Sequence, residues 1–311
     1  MNLLELLVLY LKLINMRPQE FTIKDLENFS GIKAHTIRIW EQRYGILTPD
    51  RTDTNIRKYN DRDLKSLLNI SLLNSLGHKI SNIAKLSDDQ IRDIITKHAH
   101  GNNTEEHFLH ILKISMLNYD EELFSNLIDP HVEEHGLEKT FRHVIMPFMK
   151  QIGLLWLSDS ICPAQEHFIS ALIRQKLLFH VEAVKTPLME NRRPVVLFLP
   201  DLEIHELSLL MLHYILKLRG YKSILLSQSV PSDDLKQVAQ RLGDVDFVSI
   251  FTTHPSTVMV PDYLKRLTRM FMDTDSHFHF TGYNLKGIKS PDTLYISLYD
   301  NIDDLLDGLK D

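Results

Sequence analysis

The C-terminal part of the chain alternates short, apolar, β-rich runs with segments of helical spacing. The β-rich runs are 194–199 (PVVLFL), 222–227 (KSILLS), 246–251 (DFVSIF), 277–280 (HFHF) and 293–298 (TLYISL). Strands that alternate with helices predict a parallel sheet with right-handed crossovers. Ligands bind such sheets beyond the carboxyl ends of the strands, so a binding site is expected at that edge.

Residues 104–185 have a different pattern. Their apolar side chains recur at helical spacing with few breakers, which predicts a bundle of about four helices. Pro187 and residues 191–194 (NRRP) mark a linker to the strand-rich part. The chain therefore changes from helical to mixed α/β architecture near residue 190.

The charge of the chain is unevenly distributed. Residues 17–76 hold ten Lys/Arg and eight Asp/Glu, a net of +2, whereas the whole chain carries −6, which leaves −8 elsewhere. This asymmetry indicates an anion-binding module on an acidic body. The single cysteine, Cys162, excludes an intramolecular disulfide and fits a reducing cytosol, so we expect a cytoplasmic protein.

The apolar start, residues 1–14, is too short for a membrane-spanning helix and carries Glu5 and Lys12. It also lacks the basic start and small-residue cleavage site of a signal peptide. We expect either a short amphipathic helix or an extension before a start at Met16. No other stretch is predicted to cross a membrane.

Two helical segments joined by a turn follow residue 21. Residues 22–30 form the first, Gly31 suits the turn, and residues 33–43 form a second segment with cations on its outer side. This is the helix-turn-helix arrangement, in which the second helix enters the major groove. The turn-rich segment 51–59 predicts a β-wing that reaches phosphates.

Residues 21–76 resemble the MerR family of DNA-binding transcription regulators, most specifically in 37–47 (IRIWEQRYGIL), 49–51 (PDR) and 57–59 (RKY). The resemblance implies a winged helix-turn-helix that binds pseudo-palindromic double-stranded DNA as a dimer. The wing turn at Asn55 lacks the family's usual glycine. The residues expected to contact phosphates or base edges are Thr36, Arg38, Arg43, Arg51, Arg57 and Tyr59.

A histidine stands where the predicted sheet would bind a ligand. His205 follows the first strand, and a neutral imidazole there can ligate a metal, with Glu203 or Asp201 to orient it. Trp156 precedes the pair Glu166-His167 by nine intervening residues.

Residues 104–308 resemble the cobalamin-binding region of light-sensing, adenosylcobalamin-dependent MerR repressors, a helical bundle followed by a flavodoxin-like domain. Residues 203–208 (EIHELS), 249–251 (SIF) and 282–283 (GY), with the Trp156 motif, carry the resemblance. It implies that His205 is the lower ligand of cobalt and that Trp156 covers the upper face. The residues implied to bind the cofactor are Trp156, Glu166, His167, Glu203, His205, Ser208, Ser249, Gly282 and Tyr283.

Several positions depart from the family pattern. Ser208 and Tyr283 replace glycines of the channel for the nucleotide tail, where a ligand approaches the backbone closely. The Tyr283 ring is expected either to obstruct that channel or to rearrange around the tail, and Phe251 is bulkier than the usual leucine. Leu157 stands where light sensors place a histidine, so light sensing is not predicted.

We therefore predict an α+β multi-domain regulator: a winged helix-turn-helix domain at 17–100, a four-helix bundle at 101–190 and a flavodoxin-like α/β domain with a parallel sheet at 191–311. It is expected to be a repressor that senses adenosylcobalamin or another corrinoid and assembles as a homodimer or tetramer. The alternative is a degenerate cobalamin domain that serves only oligomerisation or protein contact. Enzyme activity, such as that of a corrinoid methyl carrier, is not expected.

Overall fold

The computed structural model describes residues 20–52, 54–87, 89–91, 93–94, 105–157, 161–190, 192–291, 293 and 295–309. They form two compact units, which divide between Ile169 and Ser170. The prediction for residues 1–14 lies outside the described residues, and the division into three domains stays a prediction. Among the described residues, no helix is both long and apolar enough to cross a membrane.

The N-terminal part of the first unit is a helix-turn-helix with a small wing. Thr22 caps the first helix through a reciprocal box with Asp25, and the left-handed Gly31 (φ 72°) ends it. Asn55 adopts the left-handed conformation (φ 63°) in the wing turn, where the family usually has a glycine, because asparagine tolerates this conformation. The elements are α1 (Ile23–Ser30), α2 (Ala34–Tyr44), β1 (Asp50–Arg51), β2 (Arg57–Lys58), α3 (Asp61–Ser75) and α4 (Ile80–Ile83).

The rest of the first unit is the predicted helical bundle, in which a π-helical turn over Phe141–Ile145 joins two helices into one continuous segment. The amine of Lys113 donates to the carbonyl of Phe29 (3.1 Å), and the hydroxyl of Ser71 lies 3.2 Å from Nε2 of His110. The DNA-binding head therefore packs on the bundle within one unit. The bundle elements are α5 (Glu105–Asn118), α6 (Glu121–His135), α7 (Leu137–Thr140), α8 (Met146–Leu157) and the beginning of α9 (Pro163–Ala183), whose residues from Ser170 onward belong to the second unit.

The second unit is built on a five-stranded, fully parallel sheet with the strand order β4-β3-β5-β6-β7. This order confirms the predicted flavodoxin-like architecture, whose topological switch point lies between β3 and β5. The strands are β3 (Val195–Pro200), β4 (Ser223–Val230), β5 (Asp246–Ile250), β6 (His277–Thr281) and β7 (Ile296–Leu298). The helices are α10 (Leu207–Leu218), α11 (Ser232–Leu242), α12 (Val260–Phe271) and α13 (Ile302–Gly308), with a 3₁₀ turn at Tyr283–Leu285.

A phenylalanine cluster fills one side of this sheet. Phe247 stacks on Phe278 with ring centroids 4.8 Å apart, and Phe271 of α12 packs edge-on against both. All three rings are buried. This packing holds β5 and β6 in register, and so fixes the loops that leave their carboxyl ends.

Candidate functional site

The outer side of α2 presents the cations predicted to contact DNA. Arg38 and Arg43 are exposed, and Thr36 is half-buried. Ile37, between them, is fully buried and anchors the helix to the core. One side of α2 therefore packs while the other carries two guanidinium groups toward solvent, as a recognition helix requires.

A half-buried carboxylate joins α2 to the wing. Glu41 accepts hydrogen bonds from Arg57 Nε at 3.0 Å and from the Tyr59 hydroxyl at 3.0 Å. Tyr59 is only 1% exposed, and burial together with the Glu41 hydrogen bond raises its pKa. Tyr59 is thus a core residue in this structure, with its hydroxyl bound to Glu41, and its predicted contact with DNA stays a prediction.

The two predicted wing arginines differ in their surroundings. The hydrogen bond that Arg57 donates to Glu41 raises the pKa of Arg57 and holds its half-buried side chain in place. Arg51 is exposed, and its Nη1 donates to Asn55 Oδ1 at 2.6 Å across the wing turn. Sequence reasoning missed Glu41, since only the folded wing shows that a helix carboxylate lies beside strand β2.

The second site lies at the switch point of the parallel sheet. The loop after β3 carries Glu203 and His205, and the loop after β5 carries residues 252–254. Glu203 is fully buried, and its Oε1 lies 2.6 Å from His205 Nδ1. Its Oε2 accepts from the backbone N–H groups of Thr252 (3.2 Å), Thr253 (2.6 Å) and His254 (2.8 Å).

This network keeps Glu203 ionised. Burial alone would raise the pKa of Glu203, but the hydrogen bonds from His205 and from the amides of His254, Thr253 and His205 outweigh it and hold the pKa well below its usual range. A carboxylate beside Nδ1 favours the tautomer with the proton there, which leaves the lone pair on Nε2. The His205 side chain is 51% exposed at the ligand edge.

Two features of β5 and β6 bear on whether a corrinoid fits. Ser249 is fully buried, and its hydroxyl has no hydrogen-bond partner among the described residues, so it is available to a polar ligand atom. Gly282 has φ 132°, and a Cβ there would lie 2.3 Å from the carbonyl oxygen of Phe251. The donor set of an oriented imidazole and a buried, orphaned hydroxyl suits a corrinoid with a polar tail.

The three channel positions that depart from the family pattern differ in their exposure. The Tyr283 side chain is 71% exposed, with the Lys286 amine 5.0 Å from its ring centroid, so the ring lies on the surface instead of inside the sheet. Ser208 is half-buried in the first turn of α10. Phe251 packs in the apolar core, where its ring contacts Phe280 at 4.9 Å between centroids.

A further carboxylate at this edge was not predicted. Glu206 is 5% exposed, and its Oε1 accepts from Arg174 Nε at 2.6 Å, while its Oε2 accepts from the hydroxyl of Ser227. It ties the loop before α10 to α9 and β4. The charge at 206 beside 203 was visible in the sequence, but its partners lie 32 and 21 residues away.

The bundle motif belongs to the first unit. Glu166 and His167 stand in the first turn of α9, and Glu166 Oε2 lies 3.0 Å from His167 Nδ1. The His167 side chain is 60% exposed. Trp156 lies within α8, but its side chain is outside the described residues, so its predicted role stays a prediction.

The fold and the two sites define a DNA-binding transcriptional regulator that carries a B12-binding domain. The family described as MerR HTH family regulatory protein matches residues 21–90, and the family described as B12 binding domain matches residues 109–178. The HTH-type transcriptional repressor CarH of Myxococcus xanthus is 31% identical over 261 residues, which are 82% of this chain and 85% of that protein. The chain belongs to the CarH family of MerR-type regulators, which confirms the resemblance seen in the sequence.

Two further comparisons agree. The HTH-type transcriptional repressor CarA of Myxococcus xanthus is 26% identical over 217 residues, covering 69% of this chain and 70% of that protein. The monomethylamine corrinoid protein of Methanosarcina barkeri superposes with a TM-score of 0.51 at 14% identity, covering 67% of this chain and 99% of that one. At this identity the second likeness supports the fold alone.

Proposed function

We propose that this regulator represses transcription from operator DNA, and that a corrinoid held by its α/β unit controls how many copies assemble there. The observation that carries the proposal is the buried Glu203 carboxylate, which holds His205 Nδ1 at 2.6 Å. Metal-ligating histidines characteristically have such an orienting partner. The relatives CarH and CarA, both repressors by name, support the repressing role.

The N-terminal head supplies DNA affinity. We expect Arg38 and Arg43 on α2 to meet phosphates or base edges, with Arg57 held toward the flanking backbone by Glu41. One head binds one half-site weakly, so pairing of heads in a dimer or tetramer raises the affinity for a pseudo-palindrome. A ligand that changes the pairing then changes repression.

The α/β unit supplies the ligand site. A bound cobalamin would supply a cobalt ion, and His205 would hold it through an imidazole nitrogen. Glu203 orients His205 so that Nε2 faces the ligand edge, and the Ser249 hydroxyl offers a polar contact at the buried end of the site. The protein's part is to bind and orient the group, and the adenosyl form is our proposal for the natural ligand.

The ligand claim is tested by mixing the purified full chain with adenosylcobalamin, desalting it and recording ultraviolet–visible spectra. The wild type should retain the chromophore with the spectrum of a histidine-ligated cobalamin. His205→Ala should lose that spectrum, whereas His254→Ala, an imidazole at the same edge whose backbone N–H contacts Glu203, should keep it. Absence of retained chromophore in the wild type would leave the alternative, a cofactor-free oligomerisation unit.

The DNA claim is tested by gel-shift assays on duplexes selected from a random pool. Binding should weaken steeply with salt because phosphate contacts dominate. Arg38→Ala should reduce affinity by about 1–3 kcal/mol if it reads a base. Arg142→Ala, which removes a bundle arginine paired with Glu138, is the matched control and should bind as the wild type does. Equal binding by both variants would contradict the proposed recognition helix.

A further inference from the structure

A cluster of metal-ligand residue types lies at the amino-terminal end of the sheet, away from the corrinoid edge. Asp246 opens β5 and His277 opens β6, and the two are paired in register. His279 follows two residues along β6, so its side chain lies on the same face of the sheet as that of His277. One ligand atom from each of the three residues lies within 4.8 Å of those of the other two.

The innermost member has an unsatisfied nitrogen. His279 is 6% exposed, and its Nδ1 lies 2.9 Å from the Tyr299 hydroxyl. Its Nε2 is buried and has no hydrogen-bond partner among the described residues, although the Asp246 Oδ1 lies 3.8 Å away. Buried polar atoms in folded proteins seldom lack a hydrogen-bond partner, which indicates that a ligand binds this nitrogen.

Neither neutral tautomer of His279 allows a hydrogen bond between its Nε2 and the Asp246 carboxylate. With the proton on Nδ1, the Nε2 lone pair faces a carboxylate, and two acceptors oppose each other. With the proton on Nε2, the 3.8 Å separation from Asp246 is too long for a hydrogen bond. A cation between the two groups satisfies both. Zn²⁺ at its usual distances of about 2.0–2.2 Å from nitrogen and oxygen needs its ligand atoms roughly 3.3–3.6 Å apart. Asp246 and His279 would then approach by a few tenths of an ångström, and the widest ligand separation, which is at most 4.8 Å, would close by up to about 1.5 Å.

We propose that Asp246, His277 and His279 bind a divalent transition-metal ion of the Zn²⁺ class. Imidazole and carboxylate are ligands that Zn²⁺ accepts, and three protein ligands leave a fourth position for water. Asp246 and His277 are half-buried, so an ion can enter from solvent while His279 closes the inner side.

The surroundings of His279 resemble the support given to known metal ligands. The Tyr299 ring stacks on the His279 ring at 5.8 Å between centroids, and its hydroxyl contacts Nδ1. Gly308 of α13 leaves room for this arrangement, since a Cβ there would lie 2.3 Å from the Tyr299 hydroxyl. An outer partner on the far nitrogen fixes the ring orientation of a ligating histidine.

This site is independent of the corrinoid site. Asp246 begins β5, whereas the loop that contacts Glu203 follows the end of that strand. Four strand steps separate Asp246 from Ile250, about 13 Å at the usual rise per residue. The proposed ion site therefore does not depend on the proposed corrinoid function, and the two can be tested separately.

The proposal is tested on the full-length protein after chelator treatment and without corrinoid, by titrating Zn²⁺ against a chromogenic chelator. One site per chain is expected. Asp246→Asn, which keeps the side-chain shape, and His277→Ala should each weaken Zn²⁺ binding at least about 10-fold. Tyr299→Phe should weaken it about 10–100-fold, the usual effect of losing an outer partner.

The histidine pair of α6 provides the control. His131 and His135 stand one helical turn apart with ring centroids 4.5 Å apart, and such a pair can bind Zn²⁺ by itself. His135→Ala should leave the measured affinity unchanged. Wild-type affinity in Asp246→Asn and His277→Ala, or loss of binding in His135→Ala, would overturn the assignment. Circular dichroism of each variant verifies that the fold is kept.

Discussion

Replacing Glu203 by glutamine tests the central contact of the ligand edge. The two carboxylate oxygens accept from two groups of donors: Oε1 from the amides of Ile204 and His205 and from His205 Nδ1, and Oε2 from the amides of residues 252–254. Glu203→Gln keeps the shape of the side chain but turns one oxygen into an NH₂ group. Whichever way the amide turns, one group of three donors then faces another donor.

The magnitude follows from these bonds. A hydrogen bond to a charged group contributes about 1.5–3 kcal/mol, so losing three sets an upper range of roughly 4.5–9 kcal/mol. Water can reach the outer parts of both loops, and we therefore expect a loss of about 3–5 kcal/mol in the local stability of the edge. The His205 ring also loses its fixed orientation, which should weaken adenosylcobalamin binding about 10–100-fold.

Hydrogen–deuterium exchange of the peptide carrying residues 252–254 measures the local effect, and spectroscopic titration measures ligand affinity. Exchange should speed up by about two to three and a half orders of magnitude, since each 1.4 kcal/mol is a factor of ten. Glu138→Gln is the matched control, because it removes an exposed i,i+4 pair with Arg142 that contributes only about 0.3–0.5 kcal/mol. Exchange in Glu203→Gln as slow as in this control would refute the reasoning.

Three further outcomes are expected. Gly282→Ala should destabilise the protein by about 2–4 kcal/mol in urea unfolding, because Gly282 has a φ of 132° and a Cβ there would meet the backbone of Phe251. Gly153→Ala is the control: this helical position is exposed with open space around it, and the change should stabilise the protein by about 0.5–1 kcal/mol. Burial, and then the charge of Lys217, lower the pKa of His213 to about 4, whereas the unfolded chain takes up this proton near pH 6.5. The free energy of unfolding should therefore fall by up to about 3 kcal/mol as the pH is lowered from about 6.5 to about 4. His213→Gln should remove this fall. Glu41→Gln should lower the melting temperature and weaken DNA binding in gel shifts, since Arg57 and Tyr59 lose a shared acceptor; unchanged values would contradict that role.

Local patterns in the sequence were sufficient where the structure depends on nearby residues. The capping residue Thr22 and the turn at Gly31 predicted the helix-turn-helix, and strand–helix alternation predicted the parallel sheet. His205 was expected to have Glu203 or Asp201 as its partner, and the structure shows Glu203 in that place. Only Ile204 lies between the two members of this pair, so the loop after β3 brings them together with little help from the rest of the fold.

Features that depend on distant pairings were not predictable in the same way. Tyr59 looked like a surface residue of the wing, yet its hydroxyl reaches Glu41, 18 residues earlier in the chain. Tyr283 was expected either to obstruct the tail channel or to rearrange around the tail, and the 3₁₀ turn that it opens leaves the residue 71% exposed. The alternation in HFHF places both histidines on one face, but only the register of β5 against β6 brings Asp246 beside them.

The sheet thus carries an imidazole–carboxylate pair at each end, and their hydrogen bonds assign them different roles. At the carboxyl end, the oxygens of Glu203 are saturated by backbone amides and by His205 Nδ1, so this carboxylate can only orient the imidazole and cannot itself ligate an ion. At the amino end, Asp246 and the Nε2 of His279 face each other across 3.8 Å with no proton able to bridge them. Glu203, whose oxygens already accept hydrogen bonds, acts through His205. Asp246, which lies beside the unpartnered Nε2 of His279, is in our proposal a metal ligand itself. The same two residue types therefore indicate a supporting role at one edge and direct metal binding at the other.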